Sequence, residues 1–239
     1  RGQPHGRGPP AHVADRRDLL AADQQAPHRA RVADGVLRAD PAQAHAAETL
    51  QNLWRILRGY DPHPSAPAPR GLLGRLFGGK RGSGDLAAPA GTPEGLYLVG
   101  AVGRGKSMLM DLFFDTAEVP RKRRIHFHAF MQEAHQRIHR WKQAHPGADD
   151  PIPPLADVVA GQARLLCFDE LQVTDIADAM ILGRLFEALF ARGVTLVATS
   201  NRMPEALYRD GINRQLFLPF IDLLKTRVDR KSTRLNSSH

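Results

Sequence analysis

Apolar positions along the chain fall into runs whose spacing alternates between two periods. Ala46, Leu50, Leu53, Trp54 and Leu57 recur at helical spacing and predict one amphipathic helix. Asp40-Pro41-Ala42-Gln43 supplies its start: an acidic cap, a proline in the first turn and an amide three residues after the cap. Leu96-Tyr97-Leu98-Val99 is a short run rich in strand formers, and Met108 to Phe114 suits a mostly buried helix. Residues 123–130, "RRIHFHAF", alternate well enough for a strand, and "MQEAHQRIHRWKQAH" follows as an exposed helix. Pro151, Pro153 and Pro154 predict a loop. Leu165-Leu166-Cys167-Phe168 is a buried-type strand, and a long helix is expected over about 175–191. "VTLVATSN" gives a fourth strand and about 214–225 a last helix. Strands alternating with helices imply an α/β fold with a parallel sheet covered on both faces.

The remaining segments change the picture little. Residues 1–34 lack periodicity and are expected to be disordered or not authentic; 35–60 hold the first helix. Residues 61–94 are rich in Pro, Gly, Ala and Ser and predict a loop, within which "GLLGRLFGGKRG" reads as a mobile piece with a few apolar residues. The ordered core is expected over 95–228. With 239 residues, 42% of them hydrophobic, the chain can bury a substantial core. Its single cysteine, Cys167, allows no internal disulfide and suits a reducing compartment. The formal charge of +8 suggests an acidic partner, but residues 31–228 carry only +4 of it, so nucleic acid is not the expected partner.

Candidate chemistry begins where the first strand meets the second helix. Gly100-Ala101-Val102-Gly103-Arg104-Gly105-Lys106-Ser107 fits G-x-x-x-x-G-K-[ST], the Walker A phosphate loop, in the strand–loop–helix context that the pattern requires. Glycines let successive N–H groups converge on one concavity, and the following helix directs its positive end there. Lys106 is then expected on the β- and γ-phosphates of ATP and Ser107 on Mg²⁺. Asp169 and Glu170 follow the strand Leu165–Phe168 in Walker B fashion, at the carboxyl end where ligands of open parallel sheets bind. Asp169 is expected to hold Mg²⁺ together with Ser107, and Glu170 to polarise the attacking water. Asn201, after the fourth strand, is expected as a sensor of the γ-phosphate and the lytic water. Cys167 reads as core. His126 and His128 are expected on one side of their strand, packing or touching a partner, since a metal site lacks further ligands.

The stretches "GLYLVGAVGRGKSMLMDLFFD", "RRIHFHAFMQEAH", "LLCFDELQVTDIADAMILGRLFEALFARGVTLVATSNR" and "LYRDGINRQLFLPFIDLLK" resemble the ZapE family, AAA+-type ATPases of bacterial cell division with mitochondrial relatives. "HFHxFM" and "FDExxVTDIADAM" are the specific motifs, and the likeness covers about 35–228 in order. The resemblance implies sheet order 5-1-4-3-2 and a cytoplasmic ATPase acting at the inner face of the membrane with the division-ring protein FtsZ. It also implies a homo-oligomer in which an arginine acts on the neighbouring site in trans; Arg214 in "DGINR" is the first candidate and Arg209 the second, with Arg202 an ordinary surface arginine. The likeness stops near Val228. The final "DRKSTRLNSSH" has no hydrophobic pattern and can be encoded by a sequencing adapter, so 229–239 are expected to be read-through. On that expectation the fifth strand and the C-terminal region are missing, strand 96–100 is left as a bare edge, and this chain binds and hydrolyses nucleotide poorly. Two other readings keep the nucleotide site: a DNA-linked AAA+ ATPase such as a helicase loader, and a scaffold that binds ATP without hydrolysing it.

Overall fold

The computed structural model describes residues 41–62, 88–103, 105–148, 150–229 and 234–235. The Asp40 cap, the segments 1–34 and 71–82, and Arg104 of the phosphate loop lie outside the described residues.

Five strands lie side by side in the order β2-β3-β4-β1-β5, all parallel. They are β1 (Gly95–Gly100), β2 (Lys122–His126), β3 (Leu165–Asp169), β4 (Thr195–Ser200) and β5 (Val228–Asp229). A further two-residue strand, β6 (Arg234–Leu235), also pairs with β1. The expected order 5-1-4-3-2 is therefore present. The expected bare outer edge of β1 is not: Val228 and Asp229 pair with Gly95 and Leu96, and Arg234 and Leu235 with Val99 and Gly100. The physical reason is that β1 is buried along its whole length and its outer N–H and C=O groups need partners, which an extended chain leaving the last helix supplies.

Side chains alternate across the sheet as the two-residue period requires. Leu96, Leu98, Leu165, Cys167 and Val197 face α1 (Pro41–Leu57) and α2 (Lys106–Thr116). On that face Ala46, Leu50, Leu53, Trp54 and Leu57 of α1 meet Leu109, Met110 and Phe113 of α2. The Trp54 indole donates to the Thr116 carbonyl at 2.8 Å, tying α1 to the end of α2. Tyr97, Val99, Leu166, Phe168, Leu196 and Ala198 face the other layer. It is built from α3 (Phe127–Ala144), α4 (Ile152–Gln162), α5 (Ile176–Phe190) and α6 (Leu218–Arg227). Phe168 is the hub there, with rings of Phe127, Phe130 and Phe186 at 5.5, 4.8 and 5.9 Å.

Two expectations are corrected. The strand over 123–130 stops at His126, and α3 begins at Phe127. Phe127, Phe130, Met131 and Ala134 are all buried, and their helical spacing outweighs the short alternation that suggested a strand. His126 and His128 consequently do not share a strand face: His128 sits in the first turn of α3, with its Nε2 3.1 Å from the Gln132 amide nitrogen. The proline cluster is not only a loop either. Pro153 and Pro154 occupy the first turn of α4, where the missing N–H groups need no partner.

Candidate nucleotide and cation site

The carboxyl ends of β1, β3 and β4 bring the predicted residues to one edge of the sheet. Register aligns Val99 with Ser200 and Phe168 with Ala198, so the phosphate loop, Asp169-Glu170 and Asn201 leave adjacent strands on the same side. Gly103 and Gly105 have φ of 79° and 75°, the left-handed region that glycine enters without penalty. Gly105 is the last residue before α2, and a Cβ there would lie 3.3 Å from the Gln43 amide of α1. The first helix thus braces the loop as well as the core. Ala101, Val102 and Gly103 are exposed, and Val102 is 87% so, so the loop backbone is open to a ligand.

Lys106 folds back over the loop, its Nζ donating to the carbonyls of Gly100 (2.7 Å) and Ala101 (2.8 Å). Burial lowers its proton affinity, and the charge of Glu170 partly opposes that effect. Ser107 is exposed in the first turn of α2.

Glu170 is exposed, with φ of 55°. A non-glycine residue in this region stores strain and persists only where its surroundings hold it. Here the Glu170 N–H donates to the Thr199 hydroxyl at 3.1 Å, and the Leu171 N–H to the Thr199 carbonyl at 2.8 Å. Ser200 adds a bond from its hydroxyl to the Leu171 carbonyl at 2.7 Å. The end of β4 thus fixes the backbone turn that points the Glu170 side chain outward. Asn201, next in the chain, is exposed.

Asp169 is nearly buried, and both its oxygens are taken by Arg124 of β2: Nε to Oδ2 at 2.7 Å and Nη2 to Oδ1 at 3.1 Å. Arg124 also bonds Asp111 of α2 through Nη1. Neither Arg124 nor Asp111 was singled out from the sequence. The sequence signal was present only as two adjacent arginines in a strand; which strand they pair with is a property of the register. A hydroxyl and a carboxylate are the hard oxygen donors that suit Mg²⁺, so Ser107 and Asp169 fit that cation chemically, with Arg124 as a competitor for the carboxylate.

Arg214, the first candidate for action in trans, follows β4 and the short turn Pro204–Ala206 in the chain. It is half-buried in a short 3₁₀ turn, and its Nη2 donates to the Glu205 carbonyl at 2.7 Å. Gly211, just before it, lets the Tyr208 ring pass: a Cβ there would lie 2.2 Å from that ring. Arg209 and Arg202 are exposed. Cys167 is fully buried, and burial pushes its thiol well above the usual range. No helix among the described residues is long and apolar enough to cross a membrane.

Comparison with known proteins bears on the same features. The profile of the family described as "AFG1-like ATPase" matches residues 23–232. The cell division protein ZapE of Escherichia coli is 42% identical over 199 residues, covering 82% of this chain and 50% of that protein. Lactation elevated protein 1 homolog B of Danio rerio is 41% identical over 223 residues, covering 80% of this chain and 44% of that protein. The chain thus spans about half the length of the curated relatives it matches. Among solved structures, DnaI superposes with a TM-score of 0.52 at 11% identity, covering 93% of this chain and 92% of DnaI, a likeness of fold.

Proposed function

The chain belongs to the AFG1-like ATPase family, and from that premise we propose that it binds ATP with Mg²⁺ and hydrolyses it to remodel a protein partner. The observation that carries the reading is the held backbone of Glu170. A site that only bound nucleotide would have no use for a strained carboxylate aimed outward beside a phosphate-loop lysine. In this reading the loop N–H groups from Gly100 to Ser107, Ala101, Val102 and Arg104 included, cradle the phosphates, and Lys106 moves from its own loop carbonyls onto the β- and γ-oxygens. Ser107 and Asp169 would hold the cation, which would supply charge neutralisation of the developing phosphate oxygens. Glu170 orients and polarises the attacking water, and Asn201 contacts that water and the γ-phosphate.

The partner we propose is an FtsZ-type division-ring protein, because the bacterial relative is named a cell division protein. We further propose a homo-oligomer in which Arg214 leaves the Glu205 carbonyl and reaches the neighbour's γ-phosphate. The test is phosphate release from Mg·ATP at protein concentrations that permit assembly, with and without FtsZ filaments. Turnover that Lys106→Ala abolishes and FtsZ changes supports the reading. Turnover indifferent to Lys106→Ala overturns the site, and turnover and filaments indifferent to each other overturn the partner.

A further inference from the structure

The Arg124 fork is the feature of this edge that the proposed reaction leaves unexplained. Its two bonds engage both carboxylate oxygens of Asp169 that a cation would approach, in the charge-assisted bidentate geometry that makes such pairs strong. The guanidinium has a second partner in Asp111, which stands on α2 one turn beyond Ser107, the other proposed cation donor. Asp111 is far more exposed than Asp169, with side-chain exposures of 58% and 12%. The three side chains therefore form a chain of charge, carboxylate–guanidinium–carboxylate, running from β3 through β2 to the phosphate-loop helix. An arginine guanidinium is not deprotonated in a protein, so the charge is permanent.

We propose that Arg124 sets the cation affinity of this site: it occupies Asp169 until a divalent cation takes the carboxylate, and Asp111 then keeps the displaced guanidinium paired. The proposal rests on the nucleotide-site reading above. Two positive groups sharing one carboxylate repel each other, so the cation must outcompete Arg124. The exchange is inexpensive because Arg124 is never left partly buried without a counter-ion. It also couples cation entry to α2, since the receiving carboxylate belongs to the helix that carries Lys106 and Ser107.

The experiment titrates Mn²⁺ into the protein with and without a saturating non-hydrolysable ATP analogue and reads bound Mn²⁺ by electron paramagnetic resonance. Arg124→Gln, which removes the competing charge, is expected to tighten Mn²⁺ about three- to tenfold. Arg124→Lys, which keeps charge but not the fork, should fall between it and the parent. Asp111→Asn is expected to weaken Mn²⁺ in the parent and to have no effect once Arg124 is Gln, the non-additivity of a shared partner. Unchanged or weaker Mn²⁺ binding in Arg124→Gln, with parental analogue binding showing the fold intact, overturns the proposal. An Asp111→Asn effect of equal size in both backgrounds overturns the hand-over and leaves simple charge repulsion. Mn²⁺ binding that does not depend on nucleotide in any variant sinks the cation-site reading itself, and this proposal with it.

Discussion

Replacing Thr199 by Val separates the support of Glu170 from its chemistry. Thr199 is buried on β4, its hydroxyl lies 3.4 Å from the Phe168 carbonyl, and it accepts the Glu170 N–H at 3.1 Å. Valine has nearly the same shape, so no cavity opens; what disappears is the acceptor for a part-buried N–H and the donor to a buried carbonyl. Leaving one such group unsatisfied costs about 1–3 kcal/mol, and the added methyl returns about 0.8 kcal/mol of burial. A net loss of about 1–2 kcal/mol follows, a fall of roughly 2–8 °C in melting temperature for a domain of this size. The larger effect falls on Glu170, whose left-handed backbone then loses the one bond that holds its own N–H. Misplacement by about 1 Å of a group acting on a reacting water costs up to about a hundredfold. The expected result is therefore a kcat at least about tenfold lower, with nucleotide affinity little changed, because the phosphate loop is untouched. Calorimetry and steady-state turnover on the same preparation read both quantities. A Thr199→Val protein with parental kcat would refute the claim that β4 positions the catalytic carboxylate.

Further outcomes follow from the same geometry. Mixing Arg214→Ala with Glu170→Gln subunits, each inactive alone, should restore partial turnover if Arg214 acts on the neighbour's site; no recovery in stably mixed oligomers would refute action in trans. Gly211→Ala places a methyl 2.2 Å from the buried Tyr208 ring and should destabilise by about 1–3 kcal/mol in denaturant titration; parental stability would show that the ring moves freely. Because burial lowers the Lys106 proton affinity, its charge is lost at a lower pH than an ordinary lysine's, so nucleotide affinity should fall on the alkaline side before pH 10.5 is reached. Affinity that holds flat to that pH would contradict the role of Lys106. Cys167, fully buried with its thiol pushed up, should resist a thiol reagent until the protein unfolds; rapid modification of the folded chain would contradict its place in the core.

What could be read in advance divides along physical lines. The phosphate loop and the Asp169-Glu170 pair were legible because each is local in sequence, and the parallel sheet because strands alternate with helices; the strand order came only from the family resemblance. The helix start at Phe127 was missed because "HFHAF" satisfies both periods, and only the packing of Phe127 and Phe130 on Phe168 decides between them. The pairing along the outer edge of β1 was missed because two-residue strands leave no periodic signal and exist through their partner. Arg124, Asp111 and Thr199 were missed because their roles depend on the register between β2, β3 and β4, which no single segment encodes. The buried Arg164 belongs to the same class: its Nη1 bonds the Arg192 carbonyl at 2.6 Å and its Nε stands 3.6 Å from Asp61, which closes the end of α1 over the opposite edge.

The most direct test of the account is a single-turnover experiment on Glu170→Gln with Mg·ATP, measuring bound nucleotide and released phosphate together. The account predicts nucleotide held at near-parental affinity and phosphate release slowed by a hundredfold or more, on the order of what a positioned base contributes. Phosphate released at the parental rate from the bound complex would contradict it and remove Glu170 from the chemistry.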